Sequence, residues 1–275
     1  MTRSILITGC SSGIGYDAAH ALRARGWRVL ATCRNPGDCA RIEGEGLESF
    51  PLDYADPHSV RDAVAEALER TGGTLDALFN NGAWALPGAV EDVPRDGLRA
   101  IFEANLFGWH DLTGQIIPVM REQGHGRIIQ NSSVVGFVAL KWRGAYVATK
   151  FALEGLTDAL RLEMRDSPIH VVLIQPGPIT SRMRANSIAH FERWIDWEAS
   201  ARVEQYRDSL LNRLYGERGA DRFELPASAV SRVLIRALEA ERPRARYRVT
   251  TPTKIMAGVR RVLPTRWLDR VLAMS

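Results

Sequence analysis

Tyr146 and Lys150 stand one helical turn apart in a chain that holds only three lysines, the others being Lys141 and Lys254. Nearly every other cation is an arginine, so a lysine kept here marks a place that a rigid planar guanidinium would not fill. Residues four apart share a helix face. An ammonium about 4–5 Å from a phenol, at an effective dielectric of about 20, favours the phenolate by roughly 3–4 kcal/mol. That is about 2.5 pKa units, enough to bring a tyrosine from about 10 toward neutrality. Such a tyrosine can give and take a proton at a reacting oxygen. A chance pair on a solvated helix would do neither, and the rest of the chain has to separate the two readings.

A second chemical signal is the run Thr8-Gly9-Cys10-Ser11-Ser12-Gly13-Ile14-Gly15. Glycines there let the backbone turn tightly and approach a pyrophosphate, whose charge rests on the N-terminus of the helix that follows. The run follows an apolar strand and opens a helical pattern, the context a nucleotide site requires. Asn105 is a third. It falls on the apolar stripe formed by Leu98, Ile101, Phe102, Leu106, Trp109, Leu112 and Ile116. An amide on that face must be hydrogen-bonded, either as a satisfied core residue or for a purpose. Ser132 and Ser133 follow another apolar run; with no histidine–carboxylate motif to activate it, a serine there reads as a hydrogen-bond donor and not a nucleophile.

The elements that must position these residues alternate between short apolar runs and longer helical patterns, which predicts a parallel sheet covered on both faces. Strands are expected at 4–8, 28–32, 48–52, 77–80, 127–131, 170–174 and 246–249, and helices at 13–25, 57–70, 94–120, 146–165 and 226–239. The predicted fold is α/β: a Rossmann-type, doubly wound, seven-stranded sheet in a single domain over 1–275. Residues 182–222 break the alternation between the sixth strand and the last helix and read as a helical lid over the substrate. A basic extension spans 250–275. The 275 residues, 45% hydrophobic and 25% charged, suit one domain with a sizeable core. No apolar run approaches a membrane span, and the strand beginning at Ser4 leaves no room for a signal peptide. Cys10, Cys33 and Cys39 match no zinc spacing and cannot all pair, so no metal site and a reducing, cytoplasmic location are expected.

Together these motifs resemble the short-chain dehydrogenase/reductase family in its short one-domain form: TGxxxGxG, Asn80-Asn81-Gly82, Asn105, Ser133, Tyr146-x-x-x-Lys150 and Pro176-Gly177 occur in that family's order and spacing, from about residue 3 to 250. The resemblance implies reversible hydride transfer between a nicotinamide cofactor and an alcohol/carbonyl pair. It selects Ser133 over Ser132, with its hydroxyl holding the substrate oxygen beside Tyr146. It gives Lys150 the nicotinamide ribose and Asn105 a water in a proton relay. It further implies a cofactor site of Gly9, Ser11, Ser12, Gly13, Ile14, Gly15, Asp53 at the adenine, Asn81, Gly82, Tyr146, Lys150, Pro176, Gly177, Ile179 and Ser181, with Ser181 or Thr180 at the carboxamide. One departure is Gly82-Ala83 where the family has Ala-Gly; since alanine tolerates positive φ poorly, a slightly altered backbone is expected there.

At the end of the second strand, where users of NAD carry an acid for the ribose 2′-hydroxyl, this chain has Cys33 followed by Arg34. An arginine can bind a 2′-phosphate by charge-assisted hydrogen bonds, so NADP(H) is expected in preference to NAD(H). Phe137, Leu140, Trp142, Trp84 and Leu86, with Met183, Ile188, Phe191, Trp194, Trp197, Tyr206, Leu210 and Leu214 of the lid, suit a lipophilic alcohol or ketone of steroid, retinoid, long-chain or aryl type, though their spacing equally fits ordinary packing. Arg143, Arg182 and Arg184 leave room for an acidic group. The small-residue stripe Ala148, Ala152, Gly155, Ala159 allows close helix approach, and the resemblance implies a homodimer or homotetramer. From 242 to 275 nine basic residues face one acid, Asp269, a local charge of +8 that leaves the first 241 residues at −4 within a total of +4. That end reads as two short amphipathic segments separated by Pro264, packed on their own domain or a second subunit, or resting on an anionic membrane surface. Nothing points to nucleic acid. The alternative to an enzyme is a non-catalytic NADP(H)-sensing regulator on the same fold, which would have no need of Asn105, Ser133, Tyr146 and Lys150 together; an extended-form epimerase would need a larger C-terminal domain.

Overall fold

Seven strands pair as one parallel sheet in the order β3-β2-β1-β4-β5-β6-β7, in a computed structural model that describes residues 2–216 and 223–273. The strands are β1 (Ser4–Ile7), β2 (Arg28–Cys33), β3 (Glu48–Pro51), β4 (Ala77–Asn80), β5 (Gly126–Asn131), β6 (Ile169–Gln175) and β7 (Arg246–Arg248). From β1 the chain winds one way through β2 and β3, then returns to β4 on the other side of β1. The crevice beyond the ends of β1 and β4 is therefore the topological switch point, where open α/β sheets place their ligands.

One apolar layer lies between the sheet and α1 (Gly13–Ala24), α2 (Pro36–Gly44) and α10 (Ser228–Glu239). The opposite layer lies under α3 (Pro57–Thr71), α5 (Gly108–Glu122) and α6 (Gly144–Glu163). Local chemistry starts and stops these helices: Asp56 caps α3 by accepting from His58 N at 2.9 Å, Pro57 fills the first turn, and Gly72 closes it in the left-handed region. The helix α2 is absent from the sequence expectation, although Asn35 accepts from Gly37 N and Pro36 opens it in the same way.

The single helix expected at 94–120 is divided. The segment α4 (Arg95–Phe102) passes through a π-turn at Glu103–Phe107 before α5 begins. The lid contains α7 (Met183–Trp194), α8 (Val203–Gln205), a second π-turn at Tyr206–Leu211 and α9 (Asn212–Tyr215); its expected stretch 217–222 lies outside the described residues. At the basic end, α11 (Thr251–Val262) and α12 (Thr265–Ala273) flank Pro264, while Met274 and Ser275 lie outside the described residues. No helix among the described residues is long and apolar enough to cross a membrane.

Candidate active site

Thr8 ties the ends of β1 and β4 together. Its buried hydroxyl oxygen accepts from Asn81 N at 2.9 Å and Gly82 N at 3.2 Å, with the Tyr54 hydroxyl 2.7 Å away. Asn81 Nδ2 donates back to the Thr8 carbonyl at 2.9 Å, and Asn131 Nδ2 donates to Asn81 Oδ1 at 2.8 Å, so β5 joins the same chain of bonds. Gly9 takes φ +67°, and a Cβ there would stand 2.5 Å from Gly82 Cα; a Cβ at Gly15 would collide with the Gly9 carbonyl. Both glycines are demanded by close backbone approach. Gly82 and Ala83 keep negative φ, since among the described residues Trp142 is the one non-glycine residue with positive φ. The turn there therefore asks for no left-handed residue, and Ala83 sits in it without backbone strain.

The loop fits a dinucleotide's pyrophosphate. Ser12, at the N-cap of α1, makes no side-chain cap bond, and the first turn holds no acid. The orphan amides and positive end of the helix dipole are left for an anion. The Ser11 carbonyl accepts from Arg41 Nη2 at 2.7 Å, and Glu45 and Asp38 hold that same guanidinium. Arg34, by contrast, is exposed at the end of β2 and makes no ion pair or hydrogen bond among the described residues. Asp53 accepts from Ala55 N at 3.0 Å and donates its own amide to Ser59 Oγ at 2.9 Å, fixing the turn after β3.

Tyr146 and Lys150 lie in the first two turns of α6, both buried. The Lys150 ammonium donates to the Asn131 carbonyl at 2.8 Å and lies 4.1 Å from the centre of the Trp109 ring and 5.8 Å from that of Tyr146. Trp109 is itself held by its Nε1, which donates to the Gly82 carbonyl at 2.8 Å. Ser133 ends the loop after β5; its Oγ accepts from Val135 N at 3.3 Å and interacts with the Tyr146 phenol in the sense that favours phenolate. Tyr146, Ser133 and Lys150 are thereby brought together.

The charges differ from the sequence expectation. Burial pushes the Tyr146 phenol above its ordinary value, and the Ser133 bond only partly offsets this. Burial also lowers Lys150 to about 7, with Glu154 acting in the opposite direction. Burial strips hydration from both groups, and in the protein alone that loss sets the direction of both shifts. Glu154 is a residue the sequence reading missed. It is buried one turn after Lys150, accepts from Gln175 Nε2 at 2.9 Å and pairs with Arg246 Nε at 3.1 Å. Its i+4 spacing from Lys150 was the signal available.

Asn105 is fully buried in the π-turn. Its Oδ1 accepts from Trp84 N at 3.1 Å, and its Nδ2 donates to the Trp84 carbonyl at 2.8 Å and lies 3.4 Å from Thr149 Oγ1. The side chain is committed to holding the backbone after β4, leaving only the main-chain carbonyl for any relay. On the far side, Val134 N donates to the Pro176 carbonyl at 2.7 Å, and a Cβ at Gly177 would collide with the Thr250 hydroxyl. Ile179 bridges to Leu225, and Thr180 N donates to the Leu225 carbonyl at 2.9 Å. Ser181 faces the glycine loop, its Cβ 3.4 Å from where a Gly13 Cβ would stand. The loop 176–181 therefore closes over the nucleotide crevice.

Half of the large lid groups named above are buried in a core that also takes in Trp142 and Tyr146. Phe191, Tyr206, Leu210 and Leu214 are buried with Leu86 beneath the lid. Ala89 N donates to the Tyr206 hydroxyl at 2.8 Å, which donates to Asp92 Oδ2 at 2.8 Å. Trp142, held at φ +65°, donates from Nε1 to Ser209 Oγ at 3.2 Å. His190 stacks on Trp84 at 3.8 Å between ring centres. Trp84, Phe137, Leu140 and Ile188 remain only partly buried, and Met183 is exposed.

Comparison with known proteins agrees with this arrangement. Residues 3–191 match the family model described as short chain dehydrogenase. The chain is 38% identical over 272 residues to the uncharacterized oxidoreductase YbbO of Escherichia coli, covering 99% of this chain and 94% of the relative. It is 34% identical over 211 residues to 3-ketodihydrosphingosine reductase of Bacteroides thetaiotaomicron, covering 76% and 74%. A crystallised short-chain dehydrogenase from Streptomyces avermitilis superposes with a TM-score of 0.79 at 25% identity, over 100% of this chain and 98% of the other. With the motif order, the parallel sheet and these likenesses in agreement, the chain belongs to the short-chain dehydrogenase family of oxidoreductases.

Proposed function

We propose that the protein is an NADP(H)-dependent oxidoreductase acting on a lipophilic alcohol or ketone, with Tyr146 as the acid/base group. The observation that carries this reading is the clustering of buried Tyr146 and Lys150 with the half-buried Ser133 beside the switch-point crevice. The glycine loop and the start of α1 would hold the pyrophosphate, Arg34 the 2′-phosphate, Asp53 the adenine end, Lys150 the nicotinamide ribose, and the loop 176–181 the nicotinamide. The bound nicotinamide supplies or removes the hydride.

In the reductive direction Ser133 holds the substrate oxygen, and Tyr146 gives its proton to that oxygen as alkoxide character develops. Held above its ordinary value, the phenol is protonated at neutral pH, the form reduction needs, although a raised pKa also makes it a weaker acid. Lys150 stabilises the phenolate left behind, and its low value of about 7 lets it pass a proton onward. The Asn105 carbonyl would hold water in the path from Lys150 to solvent.

The NADP(H) assignment rests on Arg34, a cation with no protein partner among the described residues, beside a Cys33 that offers no charge to repel a 2′-phosphate. The lipophilic substrate is supported by the partly buried Trp84, Phe137, Leu140 and Ile188, and by the 3-ketodihydrosphingosine in the name of the Bacteroides relative. The exposed Phe151 and Leu156, beside Ala152 and Gly155, support pairing of α6 with a second copy of the chain. Assaying a panel of long-chain, steroidal and aryl ketones by loss of NADPH absorbance tests the reading. Turnover should appear with NADPH and fall about 10²–10⁴-fold in Tyr146→Phe, with NADPH affinity retained. Turnover of small polar carbonyls alone, or a Tyr146→Phe variant as active as wild type, would overturn it.

A further inference from the structure

The two C-terminal helices turn apolar faces outward. In α11, Thr253 and Ala257 are buried against the body, and Arg260 donates to the Phe137 carbonyl and lies 5.3 Å from the centre of the Phe151 ring. At about 100° per residue, Ile255 and Val262 fall on the side opposite Thr253 and Ala257. They are 57% and 80% exposed, so this apolar side does not serve the fold of its own subunit. In α12 none of the nine residues is buried, and Trp267 is 58% exposed. Trp267, Leu268, Val271 and Leu272 occupy an arc of about 140°, with Arg266 and Arg270 along one border.

Charge selects the occupant. Lys254, Arg260, Arg261, Arg266 and Arg270 are set against the lone carboxylate of Asp269 across these helices. A second copy docking here by two-fold symmetry would press like charges together. An anionic lipid surface supplies the opposite charge and an apolar layer for the exposed side chains at once. We propose that α11 and α12 lie in the plane of an anionic membrane surface. Ile255, Val262, Trp267 and Val271 enter the boundary between headgroups and acyl chains, while Lys254, Arg261, Arg266 and Arg270 sit among the lipid phosphates. On the side of α11 away from the docked face, Arg260 donates to the Phe137 carbonyl in the loop that follows Ser133, and Gly177 packs on Thr250 at the helix entrance. The inference does not depend on the identity of the substrate.

Co-sedimentation of the full chain with vesicles of phosphatidylcholine alone, and of phosphatidylcholine mixed with phosphatidylglycerol, tests it. Binding should require the anionic lipid and weaken as salt rises. Arg261→Gln/Arg266→Gln/Arg270→Gln should lower partitioning about a hundredfold, at roughly fivefold per cation. Trp267→Ser/Val271→Ser keeps the charge and should still lower it about tenfold or more. Brominated lipid should quench wild-type fluorescence by an increment missing in Trp267→Phe. Absence of wild-type binding, equal binding to neutral vesicles, or undiminished binding by Trp267→Ser/Val271→Ser would each overturn the proposal. So would a change of solution mass in that variant, which would assign the face to a second copy. If a variant fails to fold by circular dichroism, the wild-type lipid and salt dependence and the quenching comparison decide.

Discussion

The Lys150 ammonium donates to the Asn131 carbonyl at 2.8 Å while lying over the Trp109 indole, 4.1 Å from its centre. That seat accepts one compact donor from a buried side chain. A guanidinium brings five donors in a flat fork, and burial would leave most of them unpaired. Lys150→Arg should therefore reduce kcat/KM by roughly 10²–10⁴ although the charge is kept. Steady-state kinetics with NADPH and one active ketone would check this; near-normal activity would mean that charge alone matters there.

Burial holds Lys150 at about 7 in the folded protein, below the 10.5 usual for lysine. Between those values the unfolded chain binds more protons, so this group makes stability rise with pH from about 7 upward, by up to about 1.4 kcal/mol per unit, with no further change below. Lys150→Met should lack that rise. Urea unfolding of both proteins between neutral and moderately alkaline pH should give free energies that converge as the pH increases. Parallel curves would show that the ammonium is not penalised by burial.

Arg34 is free to meet a 2′-phosphate, whereas Arg41 is engaged by Ser11, Glu45 and Asp38. Arg34→Ala should raise the KM for NADPH about 10–100-fold, the loss expected for a charged hydrogen bond of roughly 1.5–3 kcal/mol. The KM for NADH should stay nearly constant. An equal effect on both would place Arg34 away from the phosphate.

The lid is anchored by a buried hydroxyl that serves both Ala89 and Asp92. Tyr206→Phe leaves a backbone amide and a carboxylate oxygen short of a partner, which costs about 1–3 kcal/mol. Thermal unfolding should begin several degrees lower, at roughly 2–4 °C per kcal/mol for a chain of this class. An unchanged Tm would show that water replaces the hydroxyl without loss.

How far the sequence could be read follows from the range of each interaction. The strands were legible because a strand buried on both faces must be a nearly unbroken apolar run, as Ile169–Gln175 is. Tyr146, Lys150 and the glycine loop were legible because their spacing is local. The direction of the two pKa shifts was not, since it depends on how deeply α6 is buried beneath the β5 loop and the lid. Phe191 and Tyr206 looked like ligand contacts because an apolar stripe has the same composition whether it faces a substrate or Asp92 and Trp142. Asn105 was recognisable as anomalous, but its partner Trp84 lies 21 residues away, a pairing no periodicity reveals. The nine residues of α2 escaped because the helix is short and polar, with only Cys39 and Ile42 buried, too few apolar positions to set a period.

The π-turn at Glu103–Phe107 carries one residue more than a regular helix needs. Deleting a single residue there would make the backbone locally more regular. It would also swing everything downstream by about 100°, withdrawing the Trp109 indole from Gly82 and leaving Lys150 without its aromatic floor. The irregularity between α4 and α5 thus acts as a rotational spacer: Asn105 within it clasps Trp84, and one turn later a single indole, that of Trp109, meets both the strand-end loop and the lysine.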